Sequence, residues 1–397
     1  MPRKNGPAVI GQQIKLLGQA ARTGESLAQV LANAGWSYDD LVYEDSRSKS
    51  WMGRQPLSVA SLTADAHNVP VVSFFTGCGG MDLGFEAAGF RHVAAFEINE
   101  LSCKTLRTNR PDWAVYGPPT HAGDVSRFEE MSEVLGRISP APFAGVFIGG
   151  PPCQPFSIAA NQRFAKSGDN FKRTGFAHET NGNLLFDYLR LVVAFQPAVF
   201  VVENVPGLRD LDGGAQLRTA IDDLRANGYK VVEPFILDAA DYGVPQQRLR
   251  LFVVGSRGNG VFTPPDPVAE PIGAGSVLNG RDATVPNNET REHKAESVRR
   301  YMALGYGQRD HLGRVDRLNP TLPSKTVIAG GTKGGGRSHL HPEVPRTLSV
   351  RECARQQTFP DDYVFVGAPA RQFTQVGNAV PPVLAAQLAR SLKASFF

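Results

Sequence analysis

The fold of this chain is decided by the stretch Val71-Val-Ser-Phe-Phe-Thr-Gly-Cys-Gly-Gly-Met-Asp-Leu-Gly-Phe-Glu-Ala-Ala-Gly-Phe-Arg-His-Val-Ala-Ala-Phe-Glu97. Its apolar start, Val71 to Phe75, predicts a buried strand, and Met81 to Ala88 predicts a helix that ends at Gly89. A second strand, His92 to Phe96, ends in Glu97. The succession of strand, glycine turn, helix and strand predicts a βαβ unit and therefore an α/β fold with a parallel sheet.

The turn between the first strand and the helix is Thr76-Gly-Cys-Gly-Gly80, and it indicates a nucleoside cofactor. Glycines let the backbone approach a ligand, and a carboxylate at the end of the second strand can accept both hydroxyls of a ribose. Glu97 stands 20 positions after Gly77 (97 − 77 = 20). The pattern fits NAD as well as S-adenosylmethionine, and a tight turn followed by a surface glutamate is the alternative. Asp124 ends the next segment and is a candidate acceptor for an adenine amino group.

A second loop carries a candidate nucleophile. Gly145 to Ile148 predicts a short buried strand, which leads into Gly149-Gly-Pro-Pro-Cys-Gln-Pro-Phe-Ser157. Glycines let the backbone turn and prolines end strand pairing, so Cys153 is expected on a rigid turn beyond a strand's carboxyl end, where open α/β sheets bind ligands. A buried structural cysteine is the alternative. The glycines and prolines around Cys153 argue against a packed core position.

Two further predicted strands are flanked by charged side chains. Ala198 to Val202 predicts a buried strand followed by Glu203, and burial would raise the pKa of Glu203 so that it could act as an acid near neutral pH. Leu249 to Val254 predicts another strand. Because Arg248 and Arg250 are two positions apart, we expect both on one face of it. A helix-capping glutamate and surface arginines are the alternatives.

Composition restricts the class of protein. The chain has 397 residues, a net charge of +4 and four cysteines. The cysteines form no CxxC pair, so we expect neither a metal centre nor a disulfide framework, in keeping with a reducing compartment. The mild positive charge permits a nucleic-acid partner. No apolar run is long enough for a membrane span and no signal-peptide core is present, so we expect a cytoplasmic protein with no membrane partner.

Changes in pattern along the chain predict four segments. Residues 1–66 are an N-terminal extension with a short helix that begins at the capping pattern Ser26 to Gln29. Residues 67–255 carry the α/β domain. Residues 256–345 are rich in turn-forming residues and predict a smaller, irregular inserted domain, whereas regular structure returns in residues 346–397.

The motifs, taken in order, resemble those of C5-type cytosine-specific DNA methyltransferases of the prokaryotic restriction–modification type. The matching stretches are Phe75–Gly80, Glu97–Ile98, Gly123–Asp124, Gly149–Ser157, Glu203–Val205, Gln246–Arg250, Arg351–Arg355 and Gln375–Asn378. The resemblance implies a Rossmann-like S-adenosylmethionine-dependent methyltransferase domain with a small target-recognition domain. By this resemblance the catalytic and cofactor-binding domain spans 67–255, target recognition lies in 256–345, and 346–397 completes the catalytic domain.

The resemblance also implies catalytic roles for Cys153, Glu203, Arg248 and Arg250. Cys153 would add to C6 of a cytosine flipped out of the helix, and Glu203 would hydrogen-bond or protonate N3. Arg250 would hold O2, with Arg248 supporting Glu203 or the thiolate. A methyl group would pass from S-adenosylmethionine to C5 and leave S-adenosylhomocysteine.

Further contacts follow from the same resemblance. The implied cofactor-binding residues are Phe75, Gly77, Cys78, Gly79, Gly80, Glu97, Ile98, Asp124, Val125, Pro152, Leu184, Asn378 and Ala379. The implied DNA-binding residues are Gln154, Ser157, Arg163, Thr326 and Arg337, with His339 and His341 as further candidates. We expect a monomer that acts on double-stranded DNA in a bacterial cytoplasm, associated with the nucleoid through DNA. A cognate restriction endonuclease would be a functional partner without forming a complex.

Three alternatives remain at this point. A DNA-binding regulator could use the same fold without catalysis, but the presence of Cys153, Glu203 and Arg250 argues against it. An NAD-dependent oxidoreductase would leave the cysteine loop and the two arginines without a purpose. An RNA substrate is possible within the family, but its tRNA-methylating branch carries a Cys-Phe-Thr triplet that this chain lacks.

Overall fold

The structure is a computed structural model that describes residues 7–45, 54–63, 69–152, 184–268, 270–278, 284–329 and 339–397. Its helices are α1 (Pro7–Thr23), α2 (Leu27–Asn33), α3 (Gly80–Ala87), α4 (Glu100–Asn109), α5 (Phe128–Ile138), α6 (Leu184–Phe195), α7 (Ala215–Ala226), α8 (Ala295–Met302), α9 (Val350–Gln356), α10 (Pro369–Asn378) and α11 (Pro382–Phe396). Its strands are β1 (Val69–Phe74), β2 (Phe90–Phe96), β3 (Val115–Tyr116), β4 (Val146–Gly149), β5 (Val199–Asn204), β6 (Lys230–Val231), β7 (Phe235–Asp238), β8 (Leu249–Ser256), β9 (Arg309–Asp310), β10 (Val315–Arg317) and β11 (His339–Leu340).

The chain folds into two compact units, and neither is continuous in sequence. The sheet unit comprises Leu57–Tyr242, Arg248–Ala269 and Ala379–Phe397. The insert unit comprises Met1–Pro56, Gly243–Gln247 and Glu270–Asn378. Among the described residues, no helix is both long enough and apolar enough to cross a membrane.

The sheet unit is built on one mixed sheet with strand order β3-β2-β1-β4-β5-β8-β6, and β7 also pairs with β8. The first five strands of this order run parallel, whereas β8 runs antiparallel to β5. The chain leaves β1 towards β2 and β3 on one side and returns to β4 and β5 on the other. This reversal between β1 and β4 opens a crevice at the carboxyl ends of the strands, the usual ligand site of such sheets.

Large aromatic side chains fill the core of the sheet unit. Phe74, Phe96 and Phe147 are fully buried on neighbouring strands, and the rings of Phe74 and Phe147 pack edge to face with centroids 5.0 Å apart. Tyr188 on α6 is buried against Phe74 and donates its hydroxyl to the carbonyl of Val201 at 3.2 Å. The central strands are apolar on both faces because helices cover both faces of a doubly wound sheet. The predicted α/β class is confirmed.

The last helix, α11, belongs to the sheet unit and packs closely on α3. A Cβ added at Gly84 of α3 would lie 2.4 Å from the Cβ of Ala385, so only glycine permits this separation of the two helices. The side chain of Lys393 donates to the carbonyl of Ala88 at 2.9 Å and fixes the same pair from the other end. The final segment therefore completes the domain that carries β1 and its glycine turn.

The N-terminal residues belong to the insert unit. Helices α1 and α2 bury an apolar face that includes Leu17 and Val30, and these residues share a hydrophobic cluster with Val298 and Met302 of α8. The start of α2 is confirmed, because the Ser26 side chain accepts a hydrogen bond from the Gln29 amide at its N-terminus. The extension and the insert thus form a common core.

Buried arginines join the same parts of the insert unit. Arg317 is fully buried, with its guanidinium 3.5 Å from the Tyr43 ring centroid and 4.1 Å from that of Tyr306. It also donates to Asp45 Oδ1 at 2.6 Å. Arg346 is equally buried and forms a two-pronged ion pair with Glu352, both hydrogen bonds being 2.8 Å long. It reaches Asp39 Oδ1 at 3.1 Å as well.

These units have other bounds than the four segments expected from the sequence. Residues 7–45 of the extension lie inside the insert unit, and only Ala379–Phe397 of the expected C-terminal segment lies in the sheet unit. The contacts just described explain the difference, since Arg346 is tied to Asp39. The insert is also less irregular than predicted. It contains α8 and the three-stranded sheet β11-β10-β9.

We predict that the ion pair of Arg346 with Glu352 makes the insert unit sensitive to acid. Burial raises the pKa of Glu352, but Arg346 and the Ser349 amide outweigh burial and lower the pKa to about 2. Because the folded-state pKa lies below the unfolded value of about 4.3, this stabilisation is complete above pH ~4.3. It is lost as pH falls towards 2.

Replacement of Glu352 by glutamine should lower the free energy of unfolding at pH 7 by up to about 3–5 kcal/mol, because the buried charge of Arg346 then has only Asp39 as its ion-pair partner. It should also remove the dependence on pH between about 4.3 and 2. Asp361→Asn, which breaks the exposed pair with Arg355, is the matched control and should cost less than about 1 kcal/mol. Urea titrations of the intact protein measure both effects. Equal losses in the two variants would contradict the prediction.

Candidate active site

Four segments that contain candidate site residues lie at the carboxyl edge of the sheet. The glycine turn follows β1, Glu97 follows β2, Gly150 follows β4, and Glu203 lies near the end of β5. Since β1, β2, β4 and β5 are parallel neighbours, these segments lie at the same end of the strands. They flank the crevice at the β1/β4 reversal.

The glycine turn after β1 is held in a backbone conformation that favours glycine. Phe75, Gly77 and Gly79 have φ values of +53°, +58° and +82°. Left-handed φ values are unusual for a residue with a Cβ, so Phe75 is a strained position of the kind that functional loops contain. The hydroxyl of Thr76 donates to the Phe96 carbonyl at 3.2 Å and ties the turn to β2.

Glu97 is the acid that fixes this turn. Its Oε2 accepts from the Gly77 amide and its Oε1 from the Asn99 amide, each at 2.7 Å. The side chain is 8 % exposed, and burial raises its pKa although the two amides oppose the shift. Its backbone is crowded too: a Cβ at Gly123 would lie 2.1 Å from the Glu97 carbonyl oxygen. A carboxylate offers about four acceptor positions, so acceptor capacity remains beyond the two amides.

An exposed apolar residue follows Glu97 in the sequence, and two further acids of the sheet unit interact electrostatically with each other. Ile98, the next residue, is 60 % exposed although it is large and apolar. Asp124 lies in the loop after β3 and accepts from the amide and hydroxyl of Ser126 at 3.0 and 2.7 Å. Its charge raises the pKa of Asp187 on α6, although burial of Asp187 is the larger cause. Asp187 was not singled out from the sequence, where it reads as an ordinary residue of a helix's first turn.

A second buried acid at the carboxyl edge is Glu203. Its Oε1 lies 2.7 Å from Nε of Arg250, and both side chains are 12 % exposed. Burial raises the pKa of Glu203, and the charges of Arg250 and Arg248 reduce that rise. The strand β5 extends to Asn204, so Glu203 lies inside the strand rather than just after it as expected from the sequence. Its side chain therefore has a fixed direction.

The loop after β4 lies directly against this acid. A Cβ at Gly150 would come within 2.9 Å of Glu203 Oε2, so any larger residue would displace the carboxylate. The amide of Asn204 donates to the Pro151 carbonyl at 3.3 Å and accepts from the Val205 amide at 2.9 Å. Asn204 is thus a brace between β5 and the Pro-Pro turn. Asn204 belongs to the stretch Glu203–Val205 that resembles a family motif, but the sequence assigned it no role. The hydrogen-bond partner of a side-chain amide is known only once the chain has folded.

The arginines after Gln247 differ in placement. Arg250 contacts Glu203, whereas the Arg248 amide donates to Asp238 Oδ1 at 2.7 Å and its charge acts on Glu203. Arg250 lies in β8 and Arg248 immediately precedes it. The glutamine of the same block, Gln246, belongs to the insert unit. There it is fully buried and accepts from the Val327 amide at 2.8 Å, so it holds backbone.

The other implied cofactor residues are distributed as follows. Cys78 and Val125 are buried, Gly80 is the first residue of α3, Leu184 is the half-buried first residue of α6, Pro152 is exposed, and Ala379 is a half-buried residue of the sheet unit. Asn378 is the exposed last residue of α10 in the insert unit. Cys153, Gln154, Ser157, Arg163 and Arg337 lie outside the described residues.

The candidate DNA contacts of the insert unit differ in how far they are buried. Thr326 is half-buried, and its hydroxyl donates to the Gln247 carbonyl at 2.8 Å. His339 and His341 are both buried, which is incompatible with the expected base or phosphate contacts. His339 bonds the Lys325 carbonyl at 2.9 Å, and burial lowers its pKa to about 4, so it is a neutral structural residue.

Comparison with known proteins identifies the family. Residues 69–394 match the model of the C-5 cytosine-specific DNA methylase family. The chain is 34 % identical over 341 residues to the type II methyltransferase M1.HphI of Haemophilus parahaemolyticus, covering 81 % of this chain and 86 % of that protein. It is 33 % identical over 353 residues to the type II methyltransferase M.Eco47II of Escherichia coli, covering 81 % and 78 %.

The fold has solved counterparts as well. The structure of Entamoeba histolytica methyltransferase EhMeth covers 83 % of this chain and 98 % of its own, with a TM-score of 0.60 and 15 % identity. That of a Spodoptera frugiperda DNMT2 mutant covers 82 % and 100 %, with a TM-score of 0.56 and 17 % identity. At these identities the likeness concerns the fold alone, and it confirms the expected Rossmann-like methyltransferase domain.

The chain belongs to the C-5 cytosine-specific DNA methylase family. It is accordingly a DNA (cytosine-5-)-methyltransferase, with DNA as its substrate and S-adenosylmethionine as the methyl donor that such enzymes use. Membership of this family excludes the NAD-dependent oxidoreductase considered from the sequence.

Proposed function

We propose that this enzyme methylates C5 of a cytosine flipped out of a specific double-stranded DNA sequence, through a covalent bond between Cys153 and C6. One observation carries the proposal: a buried glutamate, Glu203, is paired with Arg250 at 2.7 Å and lies against Gly150, three positions before Cys153 in the sequence. A buried acid beside a nucleophile's loop is the arrangement that this chemistry needs.

The chemistry explains why both groups are required. Cytosine C5 is a weak nucleophile, and addition of a thiolate to C6 moves an electron pair towards C5. That addition becomes easier when N3 is protonated or strongly hydrogen-bonded, which is the role proposed for Glu203. When bound, S-adenosylmethionine supplies an electrophilic methyl group. Loss of the C5 proton to a base then returns an electron pair to the ring, breaks the S–C6 bond and releases the Cys153 thiolate.

The remaining cysteines support the choice of Cys153. Cys78, Cys103 and Cys353 are all buried. Burial raises the pKa of each of these thiols, that of Cys103 to about 12, so they are poor sources of thiolate. Cys153 is the one remaining cysteine of the sequence and directly follows Pro152.

The cofactor pocket is proposed at the carboxyl ends of β1 and β2. Glu97 retains acceptor capacity for ribose hydroxyls, Ile98 offers an exposed apolar surface to an adenine ring, and Gly77 leaves open space where a side chain would project. Asp124 and Asp187 add negative charge suited to an adenine amino group or a sulfonium. The described residues of the sheet unit therefore fit a nucleoside with a positive charge.

A place in a restriction–modification system is supported by the relatives. M1.HphI and M.Eco47II are named type II methyltransferases, and we propose that this enzyme likewise protects host DNA from a partner nuclease. We propose target recognition for the insert unit, which holds Thr326 and the positions around Arg337.

One prediction from the proposed function concerns Glu203. Glu203→Gln should lower kcat by roughly 10²–10⁴-fold, the usual contribution of a general acid. It should leave the Kd for DNA unchanged within about threefold, since the amide keeps the size of the side chain. Because burial raises the Glu203 pKa, the protonated form persists to higher pH, and wild-type kcat should decline as pH rises through that pKa. This alkaline limb should be absent in the variant.

Single-turnover methylation assays over a pH series test this prediction, with Glu233→Gln as the matched control. Glu233 is an exposed glutamate of the same unit, so its variant should keep both rate and pH profile. A Glu203→Gln enzyme with unchanged kcat would remove Glu203 from the reaction.

Another prediction from the proposed function concerns Glu97. Glu97→Ala should weaken binding of S-adenosylmethionine by roughly 1.5–3 kcal/mol, the scale of hydrogen bonds to a charged group. Glu100→Ala, which alters an exposed glutamate paired with Lys104, should change the Kd less than twofold. Calorimetric titration in the absence of DNA measures both. Because Glu97 also fixes the Gly77 amide, the melting temperature is recorded too, and an unchanged Kd for the cofactor would sink the assignment.

Bisulfite sequencing of DNA from a bacterial host expressing the protein tests the function as a whole. Methylated C5 at one recurring sequence is the expected result. If host DNA stays unmethylated while the purified protein binds DNA, the chain is a DNA-binding regulator on a methyltransferase fold and the proposed function is wrong.

A further inference from the structure

The hairpin of β9 and β10 presents an unusually exposed apolar residue. Its four-residue tip is His311-Leu-Gly-Arg314, which we call the hairpin tip, between the paired residues Asp310 and Val315. Leu312 is 78 % exposed, the highest value among the large apolar side chains described in the insert unit. Single exposed leucines are common on protein surfaces, so exposure alone assigns no role.

The hairpin tip is braced rather than loose. Asp310 Oδ2 accepts from the Gly313 amide at 2.8 Å, while Arg300 holds the same carboxylate through bonds of 3.1 and 3.3 Å. A Cβ at Gly313 would lie 2.5 Å from Asp310 Oδ2, so the turn closes tightly on that acid. Leu312 is therefore displayed on a fixed turn, which reduces the entropy lost when it contacts a partner.

Arg314, the last residue of the hairpin tip, combines a positively charged side chain with a strained backbone conformation. Arg314 has φ = +54° and is exposed. Glycine or asparagine adopts this conformation with less strain than a long side chain does. Non-glycine residues in this region concentrate where a protein contacts ligands, since structure around them maintains the strain. The carbonyl of Arg314 accepts from Arg309 at 3.4 Å, which is part of that support.

The charges around the tip favour a polyanion. The carboxylates of the hairpin are neutralised, because Asp310 pairs with Arg300 of α8 and Asp316 pairs with Arg309 at 3.0 Å. Lys325 lies 3.5 Å from Asp316 as well. His311 and Arg314 are exposed beside Leu312. The tip is thus an apolar residue with an exposed arginine beside it, and the carboxylates of Asp310 and Asp316 are already paired.

We propose that the hairpin tip contacts double-stranded DNA, Leu312 packing on base edges in a groove and Arg314 binding a phosphate. Apolar side chains recognise the thymine methyl group or enter between base steps, and arginines bind the backbone beside them. This proposal rests on the proposed function and assigns part of its target recognition to one element. Neither residue was recognised from the sequence, which directed attention to Arg337 and Thr326.

The test uses the full-length enzyme with two variants and two controls. Leu312→Ser and Arg314→Ala alter the tip. Leu322→Ser changes another exposed leucine of the insert unit, 56 % exposed. Arg91→Ala removes an exposed arginine near the amino end of β2, far along the strand from the Glu97 end. Kd for a duplex containing the target is measured by fluorescence anisotropy over a salt series, together with kcat, KM for DNA and melting temperature.

Leu312→Ser should raise Kd and KM for target DNA about tenfold, the scale of a lost base contact, with kcat at saturating DNA kept within about twofold. Arg314→Ala should weaken binding to any duplex and reduce the slope of log K against log salt by about one. Both controls should behave like the wild type. Bisulfite sequencing should show relaxed choice at one position for Leu312→Ser only.

The proposal is overturned if both tip variants match the controls while the wild-type enzyme methylates its target. That outcome leaves the proposed function intact and separates the two. Should a tip variant lose thermal stability, Gly313→Ala provides a second approach, since it distorts the turn against Asp310 but keeps Leu312 and Arg314. Weakened DNA binding with normal S-adenosylmethionine binding is then expected, and unchanged DNA binding again overturns the proposal.

Discussion

The ion pair between Glu203 and Arg250 is the interaction on which the site depends. A buried carboxylate needs a compensating charge, and Arg250 supplies it at 2.7 Å. The pairing is possible because β8 runs antiparallel to β5, which brings the start of β8 to the end of β5. A parallel β8 would place Arg250 at the opposite edge. The antiparallel β8 thus places a cation beside Glu203 at the carboxyl edge of the sheet, and Gly150 leaves room for the carboxylate beside the loop after β4.

The insert unit also contains buried charges that are compensated by neighbouring groups. Its parts come from distant stretches of the chain. Arg317 and Arg346 are buried between the N-terminal residues and the insert, and carboxylates, carbonyls and aromatic faces compensate their charges. Arg351 acts similarly and donates to the carbonyls of Pro286, Pro360 and Tyr363. Arg351, which belongs to one of the stretches that match the family, therefore holds backbone within the insert unit.

Local pattern predicted the elements of the sheet unit well. The strands before the glycine turn and before Glu97 are confirmed, because apolar runs and glycine turns are patterns of only a few neighbouring residues. Partnerships across long separations were not predictable. Nothing local shows that Asn204 braces Pro151, that Asp39 pairs with Arg346, or that His339 and His341 are buried. The short helix α8 was missed because turn-rich flanks obscure its apolar residues, although Val298, Tyr301 and Met302 have helical spacing.

The central claim, covalent catalysis by Cys153 beside Glu203, is tested most directly by trapping. The enzyme is incubated with target duplex containing 5-fluorocytosine, whose fluorine cannot leave as a proton does, so release of the thiolate stalls after methyl transfer. The account predicts a protein–DNA link that survives denaturing electrophoresis, forms only with S-adenosylmethionine, maps to Cys153 and is absent in Cys153→Ala. A link at Cys78, Cys103 or Cys353, or a Cys153→Ala enzyme that still methylates DNA, would contradict it.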